Sequence, residues 1–338
     1  MATLMDVAAA AGVSRQTVSN VINYPDRVAP ETRDAVAREI ERLGFRPNKA
    51  ARALRRRKAD ALGIQVNSIG ERRLGNILDP FLVELTVAAR RHGIHIVTFA
   101  VDPNDDPLVE YEHLLEVQMV DGFVLTNTRR HDPRPIWLTA SGVPFVSFGR
   151  VWDDPTFTTW VDVDGFAGVS VGVRHLLAQG YQRVGFLGWP EGSPVGDDRR
   201  AGWVDATSAA GIFDPLLQGS APQDVHAAAE AAGPLLDRLG AGDAPICASD
   251  TLALGAWAQL RDRGIAVGTD VGLVGFDDTD VAESFGITSL RQPLARIADA
   301  MLDLMAQPDM PGPANHSGQV LRPTVTQRAS SVRAPHQR

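Results

Sequence analysis

A small all-α head followed by an α/β body of two doubly wound lobes is the architecture this sequence predicts, and three observations predict it. Short helical patterns fill the first 43 residues, two of them broken by Gly12-Val13-Ser14. From Ala61 onward, short apolar runs alternate with amphipathic helical stretches, the mark of a parallel sheet with helices on both faces. That alternation runs twice, and a chain of 338 residues is too long for one ordinary core.

The head is read first. Ala8, Gly12 and Val18 carry a helix-turn-helix pattern: a small residue where two helices cross, a glycine free to take positive φ, and an apolar anchor on the second helix. Ser14 is a natural N-cap for that helix. Its first turn presents Arg15, Gln16 and Thr17, with Asn20 one turn on, and these are the donor and acceptor types that read base edges in a major groove. Ala29-Pro30-Glu31-Thr32-Arg33 opens a third amphipathic helix with Val36, Ile40 and Leu43 at helical spacing and Gly44 placed to end it. A basic segment follows, Phe45 to Lys58, with Leu54 among small and charged residues.

The charge distribution agrees with this reading. The whole chain is acidic, with 33 Lys and Arg against 41 Asp and Glu. Residues 1–60 nevertheless hold 12 basic and 7 acidic side chains, a net of +5, leaving −13 for the remainder. A basic head on an acidic body fits a protein that touches phosphates only with its head. Cys247 is the single cysteine, which excludes an intrachain disulfide, and its apolar surroundings predict a buried thiol. There is no signal-peptide pattern and no apolar run of ~20 residues, so a cytoplasmic protein without membrane partner is expected.

The ordered set Thr3-Leu4, Asp6-Val7-Ala8, Ala11-Gly12-Val13-Ser14, Thr17-Val18-Ser19, Val21-Ile22-Asn23, Thr32-Arg33, Pro47-Asn48 and Ala51-Arg52-Ala53-Leu54 resembles the lactose-repressor family of bacterial transcription regulators. The resemblance implies base reading by Arg15, Gln16 and Asn20, and phosphate or sugar contacts from Ser14, Thr17, Asn23 and Thr32. It also carries Leu4, Asn48 and Ala51 into the DNA-facing set. Leu54 would lie on a hinge helix and wedge, one from each subunit of a homodimer, into the minor groove at the centre of a palindromic operator.

In the body, strands are expected over Leu62–Val66, Ile94–Phe99, Gly122–Thr126 and Phe145–Phe148, with helices near Phe81–His92, Leu108–Val117 and Pro135–Ser141. The second lobe reads as helix Gly165–Gln179, strand Arg183–Gly188, helices Arg199–Ala210 and Val225–Leu239, strand Ala244–Ala248, helix Thr251–Arg263 and strand Gly272–Phe276. Two such lobes are similar to the type I periplasmic-binding-protein fold, which holds a small ligand between its lobes. The resemblance implies three crossings, near Trp160–Asp164, Ile287–Gln292 and Gln319–Pro323. The expected domains are a head over 1–46, a hinge over 47–60, a first lobe over 61–160 plus 290–320, a second lobe over 161–289 plus 321–328, and a frayed tail from 329. That tail lacks leucine heptads, so a dimer is expected.

The same resemblance places the ligand residues. Arg199, opening Arg199-Arg200-Ala201-Gly202-Trp203, would ligate the effector. Ser249-Asp250 stands where the family commonly has Asn-Asp, and Asp277 of Gly275-Phe276-Asp277-Asp278-Thr279 would accept from a sugar hydroxyl or base nitrogen. Asp79-Pro80-Phe81 and Gly149-Arg150 fall at cleft positions, and Phe81, Trp160 and Trp189 would offer flat faces to a pyranose. An arginine and an aspartate converging at strand ends suit a polyol. An interlobe salt bridge among Arg199, Asp250 and Asp277 is the structural alternative. The loop Asn67–Leu78, with Arg72 and Arg73, is longer than typical for the family. No phosphate-binding glycine motif, metal-ligand spacing or nucleophile signature occurs, so neither enzyme nor cofactor is expected. The sequence thus predicts a dimeric repressor released by a sugar. A purine-type corepressor is the rival within regulation, and a sugar-transport binding protein the remote one.

Overall fold

The structure, a computed structural model, describes residues 2–45, 58–66, 75–102, 105–152, 157, 159–306 and 318–333. The chain divides into two compact units, Met1–Ala59 and Asp60–Arg338. The hinge residues Asn48, Ala51 and Leu54, the loop residues Arg72 and Arg73, and the side chain of Asn23 lie outside the described residues.

Among the described residues the first unit holds three α-helices, α1 (Leu4–Ala10), α2 (Arg15–Asn23) and α3 (Pro30–Arg42). Thr3 and Asp6 cap α1 reciprocally: Thr3 Oγ1 accepts from Asp6 N at 3.3 Å and Asp6 Oδ2 from Thr3 N at 2.7 Å. Gly12, at φ +66°, turns the chain so that Val13 N reaches Ala8 O at 3.0 Å. Val7, Ala8, Val18, Val21, Val36 and Phe45 form the head's core. Leu4 is half-buried against it.

The second unit holds two six-stranded sheets. The first contains β1 (Ala61–Gln65), β2 (His95–Phe99), β3 (Gly122–Leu125), β4 (Phe145–Phe148), β5 (Trp160–Val163) and β11 (Gln319–Leu321), in spatial order β11-β5-β4-β3-β1-β2 and wholly parallel. The second contains β6 (Val184–Gly188), β7 (Gln218–Ser220), β8 (Ala244–Cys247), β9 (Val274–Asp277), β10 (Thr288–Arg291) and β12 (Thr324–Thr326), in order β12-β10-β9-β8-β6-β7. All its pairs are parallel except β10 with β12. Helices α4 (Leu78–Arg91), α5 (Pro107–Glu116) and α6 (Pro133–Ala140) connect the first sheet. Helices α7 (Gly165–Ala178), α8 (Pro194–Ala209), α9 (Val225–Leu236), α10 (Asp250–Asp262) and the short α11 (Asp280–Ser284) serve the second.

The chain passes between the sheets at Asp164, at Gln292-Pro293 and at Arg322-Pro323. After the second crossing, α12 (Leu294–Met305) returns to pack on α4, β4 and β5. Strand pairing carries the first sheet through Val163, because Trp160 and Val161 pair with β4 and Val161–Val163 with β11. The first-lobe boundary therefore falls at Asp164 rather than at residue 160. Sequence reading also passes over β7, three residues long and containing a glycine, because so short an edge strand carries no periodicity.

Each sheet has one point where neighbouring strands leave in opposite directions, between β1 and β3 in the first and between β6 and β8 in the second. Helices that follow such strands depart to opposite faces and leave a crevice at the carboxyl ends. In the second lobe α7 and α8 pack closely against each other. A Cβ added at Gly202 on α8 would lie 2.2 Å from Phe166 O on α7, so only glycine fits. Gly202→Ala is expected to cost about 1–3 kcal/mol of stability through this overpacking, read as a lower midpoint in thermal unfolding.

Candidate nucleic-acid interface and ligand site

In the head, α2 starts at Ser14, whose Oγ accepts from Thr17 N at 3.0 Å and lies 2.9 Å from Thr17 Oγ1. Both hydroxyls are thereby held at the helix N-terminus, where backbone N–H groups point outward to an anion. Arg15 and Gln16 are exposed, and Thr17 and Asn20 are half-buried. Gln16 Nε2 donates to Asn20 Oδ1 at 3.2 Å. That bond leaves the Gln16 oxygen and the Asn20 amide group outside it, one acceptor and one donor. Thr32 is half-buried near the start of α3.

In the second lobe, the crevice between β6 and β8 is built around Arg199 on α8. The residue is 5% exposed, with its guanidinium carbon 3.6 Å from the Phe276 ring centroid and 5.3 Å from that of Trp189. Nη1 donates to Ala248 O, and Nη2 stands 3.6 Å from Asp277 Oδ1. Nε has no hydrogen-bond partner among the described residues. Burial lowers the pKa of Arg199, opposed by the charge of Asp277. Asp277 ends β9 and accepts from Gln292 Nε2, on the second crossing, at 2.6 Å. Burial raises its carboxyl to about 6 against the pull of Arg199. Asp277 and Asp278 both have positive φ, +110° and +57°. Aspartates in such backbone cost of order 1–3 kcal/mol each unless their surroundings hold them.

The surroundings do hold them. Asp250, with 0% exposure, accepts at Oδ2 from Thr279 N and Oγ1 at 2.7 and 2.9 Å, and at Oδ1 from Ser289 Oγ at 2.5 Å. Asp278 is bound by Arg291 at 2.5 Å and Arg328 at 2.6 Å. Beside this turn, Gln223 Oε1 accepts from Trp189 Nε1 at 2.7 Å and Ser249 Oγ at 2.8 Å, and its Nε2 donates to Thr251 at 3.1 Å. At the first crossing, Arg150 Nε donates to Asp162 at 2.6 Å and Nη2 lies 3.5 Å from Asp198 of the second lobe, with the Trp152 ring 4.3 Å from its guanidinium carbon.

In the first lobe, a cavity of about 190 Å³ opens at the carboxyl ends of β1 and β3, lined by Ile64, Gln65, Val66 and Thr126, and by Asn76, Leu78, Asp79 and Leu82 at the start of α4. Gly75, just before it, lies against the second lobe: a Cβ there would stand 3.2 Å from Thr251 Oγ1 and 3.3 Å from Thr279 Oγ1. Polar side chains thus stand near the carboxyl ends of both sheets, beside their switch points.

Known proteins match both units. The sequence model of bacterial regulatory proteins of the lacI family matches residues 3–48, and that of a periplasmic binding protein-like domain matches residues 173–331. The HTH-type transcriptional regulator CelR of Thermobifida fusca is 35% identical over 314 residues, 90% of each chain. The chain belongs to the lacI family. It is a helix-turn-helix, DNA-binding transcriptional regulator. Among solved structures, a CelR–cellobiose complex matches at 32% identity and TM-score 0.71, covering 98% of this chain and 100% of that one. The lac repressor dimer bound to operator and the anti-inducer ONPF matches at 25% identity and TM-score 0.78, covering 98% and 99%. Among the described residues no helix is long and apolar enough to cross a membrane, and no group of three or more His, Cys, Asp or Glu is placed to hold a metal ion.

For this lacI-family chain, the structure sets Arg199 beside Asp277 and the Arg150 guanidinium 6.0 Å from the Trp160 ring centroid, and it corrects three other readings. Phe81 is 0% exposed, its ring 4.5 Å from that of Phe148, so it is core beneath the cleft and the half-buried Phe148 is the aromatic nearer the surface. Asp250 forms neither an interlobe salt bridge nor an open acceptor: its oxygens are taken by Thr279 and Ser289. Ser249, fully buried, caps α10 by accepting from Leu252 N and gives its hydroxyl to Gln223. Gln65, Asp162, Asp198, Gln223 and Gln292 are the residues sequence reading overlooks, since none lies in a recognised motif. Asp250→Ala is expected to lower stability by about 1–3 kcal/mol, because it strands the donors of Thr279 and Ser289. Asp250→Asn, whose amide oxygen can face Thr279 while its NH2 donates to Ser289, is expected to unfold near the parent's temperature.

Proposed function

We propose that the protein is a dimeric transcriptional repressor that holds a palindromic operator through two heads and releases it when a neutral sugar binds between the lobes of the body. It acts by binding alone, in the cytoplasm, with no catalytic step. The observation that carries the ligand half is the buried Arg199: an Nε donor without an acceptor among the described residues, a carboxylate 3.6 Å from Nη2, and two aromatic faces around the guanidinium. A sugar meets all three needs: a hydroxyl accepts from the guanidinium and donates to Asp277, and the ring's C–H face lies toward Trp189. The CelR–cellobiose complex makes cellobiose the first candidate. Release needs only ~1–3 kcal/mol of coupling between sites. We further propose that Leu54 of each subunit wedges the operator's minor groove.

The experiment is selection of a bound DNA sequence by the purified protein, followed by titration of the complex with mono- and disaccharides, nucleobases and nucleosides. A sugar that frees the DNA is expected, and a purine that tightens it would reverse the sign of the model. Leu54→Ala is expected to weaken operator affinity with sugar affinity unchanged; equal operator affinity would refute the wedge. Asp277→Ala should keep operator binding and lose the response to sugar. A hydroxyl donor requires the ionised carboxylate, and the Asp277 carboxyl is raised to about 6. Sugar affinity should therefore be constant above neutrality and fall as pH drops through about 6, with a proton released on binding near that pH. An affinity independent of pH would show that no such donor meets Asp277.

A further inference from the structure

We propose that Gln65 sets the ligand specificity of the first lobe, as a hydrogen-bond donor turned into the cavity by Arg134 and Tyr111. The proposal rests on the reading of the cleft as a sugar site.

Gln65 is the last residue of β1, half-buried, and lines the cavity at the switch point of the first sheet. Its Oε1 receives Tyr111 Oη at 3.2 Å and Arg134 Nη1 at 3.4 Å. A guanidinium carries donors only, so the amide atom facing Arg134 must be the oxygen, and a flipped amide would set donor against donor. The orientation is thus imposed by chemistry. The Nε2 group, with no acceptor among the described residues, remains for the cavity.

Arg134 is itself fixed. It is 9% exposed, and its Nε lies 3.0 Å from Asp132 Oδ1 while Nη2 reaches Asp132 Oδ2 at 2.6 Å and Thr126 O at 3.0 Å. Asp132, 3% exposed, also accepts from Arg134 N at 3.1 Å as the cap of α6. A buried ion pair satisfied on every side holds one geometry, and here that geometry is handed to a neutral amide at the cavity wall. Tyr111 is fully buried and remains a phenol, because burial raises its pKa.

The remaining wall defines the ligand class. Asn76 Oδ1 accepts from Leu78 N at 3.2 Å, which leaves its amide group as a second donor. Asp79 is an exposed acceptor at the cavity mouth, and Ile64 and Leu82 are apolar. Two neutral donors, one carboxylate and an apolar wall suit a hydroxylated ring without charge. A phosphorylated or carboxylated sugar would set its anion against Asp79. At about 190 Å³ the cavity is smaller than the roughly 300–1,000 Å³ of a whole ligand pocket, so it takes one end of a ligand whose other end meets Arg199 and Asp277.

The test is calorimetric titration of the full chain with the sugar that releases operator, cellobiose first, and with its monodeoxy and phosphorylated derivatives. Gln65→Met keeps the volume and removes the donor; about a tenfold loss of affinity is expected. One monodeoxy sugar should bind the parent as weakly as the full sugar binds Gln65→Met, and lose nothing further in that variant. Arg134→Lys, a positioning variant, should weaken the parent yet add nothing on the Gln65→Met background. A purely structural Arg134 would instead add its full loss there. Equal affinity of Gln65→Met and parent, with binding lost in Arg199→Ala, overturns the role of Gln65 and leaves the cleft reading intact. Tighter binding of the phosphorylated sugar overturns the assigned class. A parent that binds no sugar at all overturns both the cleft reading and this proposal.

Discussion

Keeping the Arg199 guanidinium out of water is the constraint on which the second lobe is built. Moving a cation into a protein interior costs several kcal/mol unless charge and hydrogen bonds compensate it. Here the compensation comes from three separate parts of the chain: Ala248 O after β8, Asp277 at the end of β9, and the rings of Phe276 and Trp189. Asp277 reaches its place only on backbone with φ +110°, and that backbone persists because Asp250 and Asp278 are each anchored by several donors. One incompletely satisfied cation therefore accounts for three aspartates, of which one faces it and two hold the turn.

The lobes are joined at the same place. Gln292, which donates to Asp277, lies on the second crossing, while Arg150, just after β4, reaches Asp162 near the end of β5, two residues before the first crossing, and Asp198 on α8. A ligand that changes the partners of Arg199 or Arg150 acts directly on the segments that set the lobes against each other. Allosteric coupling asks for differential contacts in two states of a packed element. Charged side chains at the crossings place such contacts where a small displacement is shared by both lobes.

The site shows how far residue type and spacing carry an inference. Arg199 and Asp277 stand out as polar residues at the ends of apolar runs. Asp250 and Ser249 have the same signature, and yet one is consumed by Thr279 and Ser289 and the other by a helix cap and Gln223. Strand-end position fixes where a side chain starts and leaves open which neighbour claims it. Gln65 escapes notice for a related reason: its partners Tyr111 and Arg134 are 46 and 69 residues away in sequence, and an isolated glutamine has no pattern.

What the sequence by itself determined is the head, with the cap of its second helix and its turn glycine, together with the two-lobed body. Those features rest on local interactions within a few residues and on periodicities of helix and strand, which are written in order along the chain. Tertiary structure alone decided which carboxylate faces Arg199 and which brace the turn beside it, that Phe81 is core, and that a glutamine on the first strand is oriented by an ion pair whose arginine lies 69 residues further along the chain. Those outcomes depend on burial and on competition among donors brought together from distant segments. Such competition is settled only when the two sheets have formed.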